Sequence, residues 1–543
     1  MPEIDTVCKQ AAERRHLLRI AVRPRTGDDE VHAALDQQMT EVTDDWRIES
    51  LWDGAETWLV TGRIDLEVGT TAYARQAHTL VQRLLDTGAF HHVEADIPVT
   101  AFDRPVTAFD EEDAQGAFGP DADLPGTEAK DWARRAIRCQ RAWDVVRDSG
   151  GDPGADVLVG HPDTGYTLHP RLGRQAIDLD RDWDVITGDD DALDPLVPPD
   201  ESPWAMPSPG HGTATGSVIA GRGTEQDGVV GVAPAAVLVP IRAVESVVQL
   251  FDSDVARAVH HARTTGCHIV SMSLGGKGFI GLREAIRQAV DSGMIVMAAA
   301  GNKVGIVVAP ASYDHCIAVA ATGIDDTPWP GTSRGRAVDI SAPGWSVHAA
   351  MFEWDTHPPL ETVRRSSGTS YAVAHLAGVA ALWLGHHGVD PLKQRYGPSR
   401  VQAVFLHLLR QSSRRPSGWD AALGAGIVDA GELLSAALPR PEDVSDDIGA
   451  FGASDDPVDR LSALVNVEPD QLRAGLAARF GAGSDDLDQI VARFEGELAY
   501  LLLEDETFRA SVFAGDDAGA FPLGPTSGPP AASPDLSAAL VGR

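Results

Sequence analysis

Short runs of apolar and β-branched residues over 16–23, 46–52, 57–64 and 92–99 predict four strands. Between them, residues 29–41 and 71–86 carry apolar positions at helical spacing, and Gly88 stops the second helix. Asp53-Gly54 joins the two middle strands as a hairpin. The order β-α-β-β-α-β predicts a ferredoxin-like α+β domain over residues 1–103.

Residues 104–130 are rich in Asp, Gly and Pro without periodicity, which predicts a linker. From 131 to 438, short apolar runs alternate with helical patterns. Strands are expected at 155–160, 237–243, 268–272, 295–299 and 316–321. That alternation predicts an α/β unit, a parallel sheet with helices on both faces. Residues 439–457 read as an acidic linker. A helical C-terminal region follows over 458–513, with helices at 459–465, 469–480 and 485–504. In the last of these, Leu487, Ile490, Val491, Phe494, Leu498, Leu501 and Leu502 form one stripe. The stripe suits packing on the central unit or docking of a protein partner, and both readings stay open. Residues 514–543, rich in Gly, Pro, Ala and Ser, are expected to be disordered.

Composition narrows the function classes. At 543 residues the chain exceeds one hydrophobic core. Its 80 acidic residues against 45 basic ones give a net charge of -35, which repels phosphate backbones and argues against a nucleic-acid partner. No apolar run is long enough to cross a bilayer, so no membrane partner is expected. The start, Met-Pro-Glu-Ile-Asp, lacks a basic segment followed by an apolar core. A cytoplasmic location is the expectation, or a secreted one if the chain starts elsewhere. Cys8, Cys139, Cys267 and Cys316 show neither metal-ligand spacing nor a disulfide framework.

Four polar residues stand in glycine-containing segments where chemistry is built. Asp163 lies in Gly160-His161-Pro162-Asp163-Thr164-Gly165, after a predicted strand. His211 lies in Gly210-His211-Gly212-Thr213, at a helix start. Asn302 follows Ala298-Ala299-Ala300-Gly301. Ser370 lies in Gly368-Thr369-Ser370-Tyr371-Ala372, ahead of an apolar run to Leu384. Singly, each fits a bland role: a turn aspartate, a structural histidine, a turn asparagine, a helix-capping serine. Jointly they supply a nucleophile, a base, a group to orient the base and an oxyanion donor.

The order Asp, His, Asn, Ser, with the contexts Asp-Thr-Gly, Gly-His-Gly-Thr and Gly-Thr-Ser, resembles the subtilisin-like serine peptidases. His169-Pro170, Gly231-Val232-Ala233-Pro234, the run from Ser271 to Gly276, Ala342-Pro343-Gly344 and the run from Gly424 to Ala430 match as well. The resemblance covers residues 131–438. It implies a seven-stranded parallel sheet sandwiched between helices, and a serine endopeptidase acting on polypeptides without a cofactor. In that reading Ser370 is the nucleophile, His211 the general base and acid, Asp163 its orienting group and Asn302 the oxyanion donor. An extended substrate would pair with Ser273, Leu274 and Gly275, and Ala299, Ala300 and Gly301 would wall the pocket for the residue before the scissile bond. Small residues there lead us to expect an open pocket that takes a bulky apolar side chain. Residues 16–99 look similar to the inhibitory propeptides of the family, with autocleavage expected between Phe102 and Lys130.

Several positions depart from the family pattern. Pro162 replaces an aliphatic residue, and Ala214-Thr215-Gly216 stand where His-Val-Ala-Gly is usual. Tyr371 replaces Met, and Ala374 replaces the Pro before His375. These keep open a weak or inactive binding module, and a peptide ligase or esterase, on the same scaffold. Arg171 stands where a calcium-binding relative has an acid, and the loop at 223–230 is short, so the usual Ca2+ site is expected to be absent. Asp189-Asp190-Asp191 is a candidate for a hard cation, although a solvated acidic loop is favoured.

Overall fold

The structure, a computed structural model, describes residues 14, 16–40, 42, 46–99, 129–197, 208–224, 226, 229–248, 250–304, 306–353, 358–445, 456–513 and 532–541. The expected autocleavage segment lies almost wholly outside the described residues.

The N-terminal domain has strands β1 (Leu17–Pro24), β2 (Arg47–Ser50), β3 (Trp58–Arg63) and β4 (Phe90–Ala95), with helices Asp28–Gln38 and Thr71–Asp86. The strands form an antiparallel sheet in the order β2-β3-β1-β4, the arrangement expected of a ferredoxin-like domain. Alternation along β1 serves two cores. Leu18, Ile20 and Val22 face the domain's own helices, whereas Ala21 joins Leu51, Trp52 and Leu59 on the opposite face. That second face is packed on helices Asp252–Thr264 and Ile280–Asp291 of the central unit, where Trp52 stacks on His260 at 4.8 Å.

Two carboxylates of the N-terminal domain complete this joint. Asp96 accepts from the backbone N–H groups of Asp252 and Ser253, at 3.0 and 3.3 Å. Glu94 accepts from the N–H of Ile280 at 3.1 Å and from Lys277 Nζ at 2.9 Å. Each carboxylate meets amide donors that a helix start leaves unsatisfied, so one domain caps two helices of the other.

The central unit holds seven parallel strands in the order β11-β10-β9-β8-β5-β7-β6. They are β5 (Leu158–Asp163), β6 (Trp183–Asp184), β7 (Val237–Arg242), β8 (Ile269–Met272), β9 (Ile295–Ala299), β10 (Ile317–Thr322) and β11 (Ile340–Pro343). The five expected strands are present, but β5 lies further along than expected, so His161-Pro162-Asp163 is inside it. β5 pairs with β8 only through Gly160, so Pro162, which has no N–H, stands beyond that ladder. Helix Thr369–His387 is buried all round from Thr369 to Leu384, as its apolar run, broken only by His375 and Gly378, requires. A hairpin of β12 (Val347–Glu353) and β13 (Leu360–Ser366) lies outside the sheet.

The C-terminal helices Pro457–Val465, Pro469–Phe480, Ser484–Glu504 and Glu506–Val512 pack against both the central unit and the N-terminal domain. Their stripe residues Leu487, Val491, Phe494, Leu498, Leu501 and Leu502 share one core with Leu35, Val81 and Leu84 of the N-terminal domain. Val304, Ile306 and Val308 of the central unit join the same core. Arg493 donates to Gln82 and Asp86 at 2.9 and 2.6 Å, and Arg336 bonds Glu468 at 2.8 Å. The stretch expected to be disordered contains a helix, Pro534–Val541, with Leu536 buried. Ser533, just before it, donates through its N–H and hydroxyl to Glu497, which burial pushes up to about 7. Cys139, Cys267 and Cys316 are buried thiols. Among the described residues no helix is long and apolar enough to cross a membrane.

Candidate active site

Asp163 is the last residue of β5, and His211 is the first residue of helix His211–Ala220. Asn302 follows β9, and Ser370 is the second residue of helix Thr369–His387. All four therefore lie at carboxyl ends of strands or amino ends of helices, the edge where parallel sheets bind ligands. Close approach of the His211 helix to β5 requires glycine. A Cβ at Gly212 would lie 2.2 Å from the Gly165 carbonyl oxygen.

His211 Nδ1 lies 2.8 Å from Asp163 Oδ1, which also accepts from the Thr164 N–H at 2.8 Å. Asp163 is wholly buried. Burial alone would raise its carboxyl, but the neighbouring His211, its hydrogen bond and His161 outweigh this and hold it below the ordinary value. Asp194 braces the same corner. It accepts from Thr164 Oγ1 and from the Gly210 N–H, both at 2.7 Å, while Thr164 Oγ1 accepts from the Gly212 N–H at 3.1 Å. Burial raises the Asp194 carboxyl despite these donors.

Ser370 and His211 sit on helices that pack against each other, and each is 4% exposed. The Ser370 hydroxyl donates to the Ser273 carbonyl at 3.4 Å, and the Ser273 hydroxyl donates back to the Ser370 carbonyl at 3.1 Å. Asn302 Oδ1 accepts from both the N–H and the hydroxyl of Thr369, each at 2.8 Å. A backbone N–H can only donate, so the orientation of this amide is determined, and its Nδ2 faces Gly368. Of the family departures, Tyr371 is buried, and His375 Nδ1 donates to the Tyr371 carbonyl at 2.7 Å. Burial pushes His375 down to about 4, so it is neutral.

The expectation of an open pocket is corrected. Ser273, Leu274, Ala299 and Ala300 are buried, and Val308 is packed between the two expected walls. A Cβ at Gly275 would lie 2.3 Å from Val308 Cγ2, and one at Gly301 would lie 3.2 Å from Val308 Cγ1 and 3.3 Å from Val304 Cγ2. The Gly275 N–H already donates to the Val247 carbonyl at 2.9 Å. Small wall residues are matched by a branched one that folds back between them, a pairing that inspection of the wall segments alone does not reveal.

The acidic run serves turns. Asp189 accepts from Thr187 Oγ1 at 2.8 Å and from the Asp191 N–H at 3.1 Å, and Asp191 accepts from Tyr166 at 3.2 Å. Among the described residues no group of three or more His, Cys, Asp or Glu converges as a metal site would require. Asp194, Thr369 and Val308 were not singled out for these roles from sequence, and of these only Thr369, inside Gly-Thr-Ser, carried a visible signal.

A family model described as the subtilase family matches residues 154–426. Thermitase of Thermoactinomyces vulgaris is 30% identical over 261 residues, covering 48% of this chain and 83% of that protein. Subtilisin E of Bacillus subtilis is 34% identical over 198 residues, covering 35% of this chain and 50% of that protein. The chain thus spans most of thermitase but about half of subtilisin E. The solved structure of fervidolysin from Fervidobacterium pennivorans, a keratinolytic enzyme related to subtilisin, shares the fold. It aligns with a TM-score of 0.54 at 20% identity, over 78% of this chain and 61% of that one.

Proposed function

The chain belongs to the subtilase family of serine endopeptidases, and from that premise we propose that it cleaves peptide bonds through an acyl-enzyme on Ser370. The observation that carries this reading is the 2.8 Å contact between His211 Nδ1 and the buried Asp163 carboxylate. With Nδ1 committed to Asp163, Nε2 is the nitrogen that accepts the Ser370 proton as the hydroxyl turns from Ser273 to attack the substrate carbonyl. Asp163 fixes that tautomer and stabilises the imidazolium that forms. The Asn302 amide and the Ser370 N–H, at the start of a helix, stabilise the oxyanion. His211 then protonates the leaving amine, and water repeats the sequence to release the acyl group.

The N-terminal domain acts in this reading as an inhibitory propeptide. It covers two helices of the catalytic unit, and Ile97 and Val99 beyond β4 are buried in the core that contains Val304, Ile306 and Val308. The chain therefore leads from the docked domain toward the pocket wall, with self-cleavage between Phe102 and Lys130.

Purified wild type and Ser370→Ala, incubated side by side, test both parts. The expected result is fluorophosphonate labelling and a new N-terminus within 102–130 in the wild type alone. Absence of labelling in folded wild type favours the binding-module reading. Equal labelling in Ser370→Ala removes Ser370 from the mechanism.

A further inference from the structure

The two oxygens of Asp163 are unequally served. Oδ1 has the Thr164 N–H and His211 Nδ1, both at 2.8 Å. Oδ2 has the Thr215 hydroxyl at 3.4 Å, with His161 Nε2 behind it at 3.9 Å. Thr215 Oγ1 is in turn 3.1 Å from His161 Nε2, 3.1 Å from the His211 carbonyl and 3.4 Å from the Gly212 carbonyl.

The Thr215 hydroxyl has one proton for several acceptors. If His161 took it, Oδ2 would be a buried anionic oxygen lacking that donor, which is unfavourable. With the proton on His161 Nε2, the imidazole donates to Thr215 Oγ1 and the hydroxyl turns to Oδ2. The anion favours this tautomer, because it places an N–H rather than a lone pair toward negative charge. Burial lowers the basicity of His161, which keeps it a neutral donor. The departure at Thr215 and the histidine at 161 thus fit one another.

We propose that His161 and Thr215 are positioning residues of the triad, a relay from His161 Nε2–H through the Thr215 hydroxyl to Asp163 Oδ2 that fixes the plane of the carboxylate and hence the imidazole of His211. The proposal rests on the triad reading above. The other charged groups near Asp163 are engaged elsewhere. Arg242, its β7 neighbour, bonds Asp184 at 2.6 Å, and Asp194 bonds Thr164.

The test measures kcat, KM and the pH profile for peptide-anilide hydrolysis, and the rate of fluorophosphonate labelling, in the full-length chain. The variants are Thr215→Val, Thr215→Ser, His161→Leu, His161→Gln and Ser370→Ala, with thermal unfolding as the control for folding. Thr215→Val and His161→Leu should lower kcat roughly tenfold or more, with KM changed less than about twofold. Their acid limb should move to higher pH, since a carboxylate with fewer donors holds its proton longer and stabilises the imidazolium more. Thr215→Ser and His161→Gln keep the donors and should stay within about threefold of wild type, with the acid limb unmoved. A folded Thr215→Val or His161→Leu with unchanged kcat and acid limb overturns the relay. So does His161→Gln as impaired as His161→Leu. If Thr215→Val fails to fold, the two His161 variants decide. Activity that survives in Ser370→Ala strikes the triad reading instead, whatever the relay variants do.

Discussion

Asn302 is held through its oxygen by Thr369, which donates both its N–H and its hydroxyl to Oδ1 at 2.8 Å. The amide is thereby aimed before any substrate arrives, and a preorganised donor need not reorganise as charge develops. Asn302→Ala should lower kcat by about 10²–10³, the usual loss for one oxyanion donor. Thr369→Val keeps the donor but frees its orientation, so a smaller loss in kcat is expected, with KM little changed. Steady-state kinetics of the two variants check this. Equal losses would mean that Thr369 acts on more than Asn302.

Asp96 and Glu94 lie two residues apart at the end of β4, and each caps a different helix of the catalytic unit. Loss of a cap costs about 0.5–2 kcal/mol, so Asp96→Ala should weaken retention of the N-terminal domain after processing roughly two- to thirty-fold. Size-exclusion chromatography of processed protein reads this as free N-terminal fragment. Retention equal to wild type would leave the joint to its apolar contacts alone.

Much of this architecture was legible in the chain. The β-α alternation and the long apolar run after Ser370 announce a parallel sheet around a buried helix, because a helix apolar on nearly every side has nowhere else to go. Asp163, His211 and Ser370 were legible as candidates because each stands in a short glycine-containing segment at a strand end or a helix start. The partner of the C-terminal stripe was not, since Leu498 packs as well on one apolar surface as on another. Asp194 was illegible too. It stands 30 residues from Thr164, and only the folded insertion brings the two together.

The shared core makes a prediction of its own. Leu498 is buried in a cluster that spans the C-terminal helices and the N-terminal domain. Leu498→Ala should cost about 2–5 kcal/mol and loosen both regions together. Hydrogen exchange should rise in helix Thr71–Asp86 as well as in helix Ser484–Glu504. Faster exchange confined to the C-terminal helices would show that the N-terminal domain holds without them.

Asp252 makes the joint sensitive to pH. Burial, with Asp96 and Glu94 close by, pushes its carboxyl from 3.8 up to about 8 against the pull of Lys277. Oδ2 accepts from the Gly278 N–H at 3.1 Å, whereas Oδ1 is buried without a hydrogen-bond partner among the described residues. A protonated acid tolerates that environment better than an anion. Between these two values the folded chain holds a proton that the unfolded chain has released. Stability from this group is therefore complete below about pH 4 and is lost as pH rises through about 8. Asp252→Asn cannot ionise, so its melting temperature should fall less than that of wild type between pH 5 and 8. Parallel melting curves would assign the dependence to another group.

Val308 sets the last expectation, because its methyl groups occupy the space between Gly275 and Gly301. If that space receives the side chain before the scissile bond, the wild type should favour small residues there, such as Ala or Gly. Val308→Gly removes the branched group without adding charge, and the freed volume should admit Leu or Phe. A difference of one buried methylene is worth about 1–3 kcal/mol in discrimination, so kcat/KM for Phe relative to Ala should rise at least tenfold. Cleavage profiling of wild type and variant against a peptide library checks it. A wild type that already prefers Phe would mean that Val308 moves aside on binding, and the pocket would then be shaped by the substrate rather than by the resting fold.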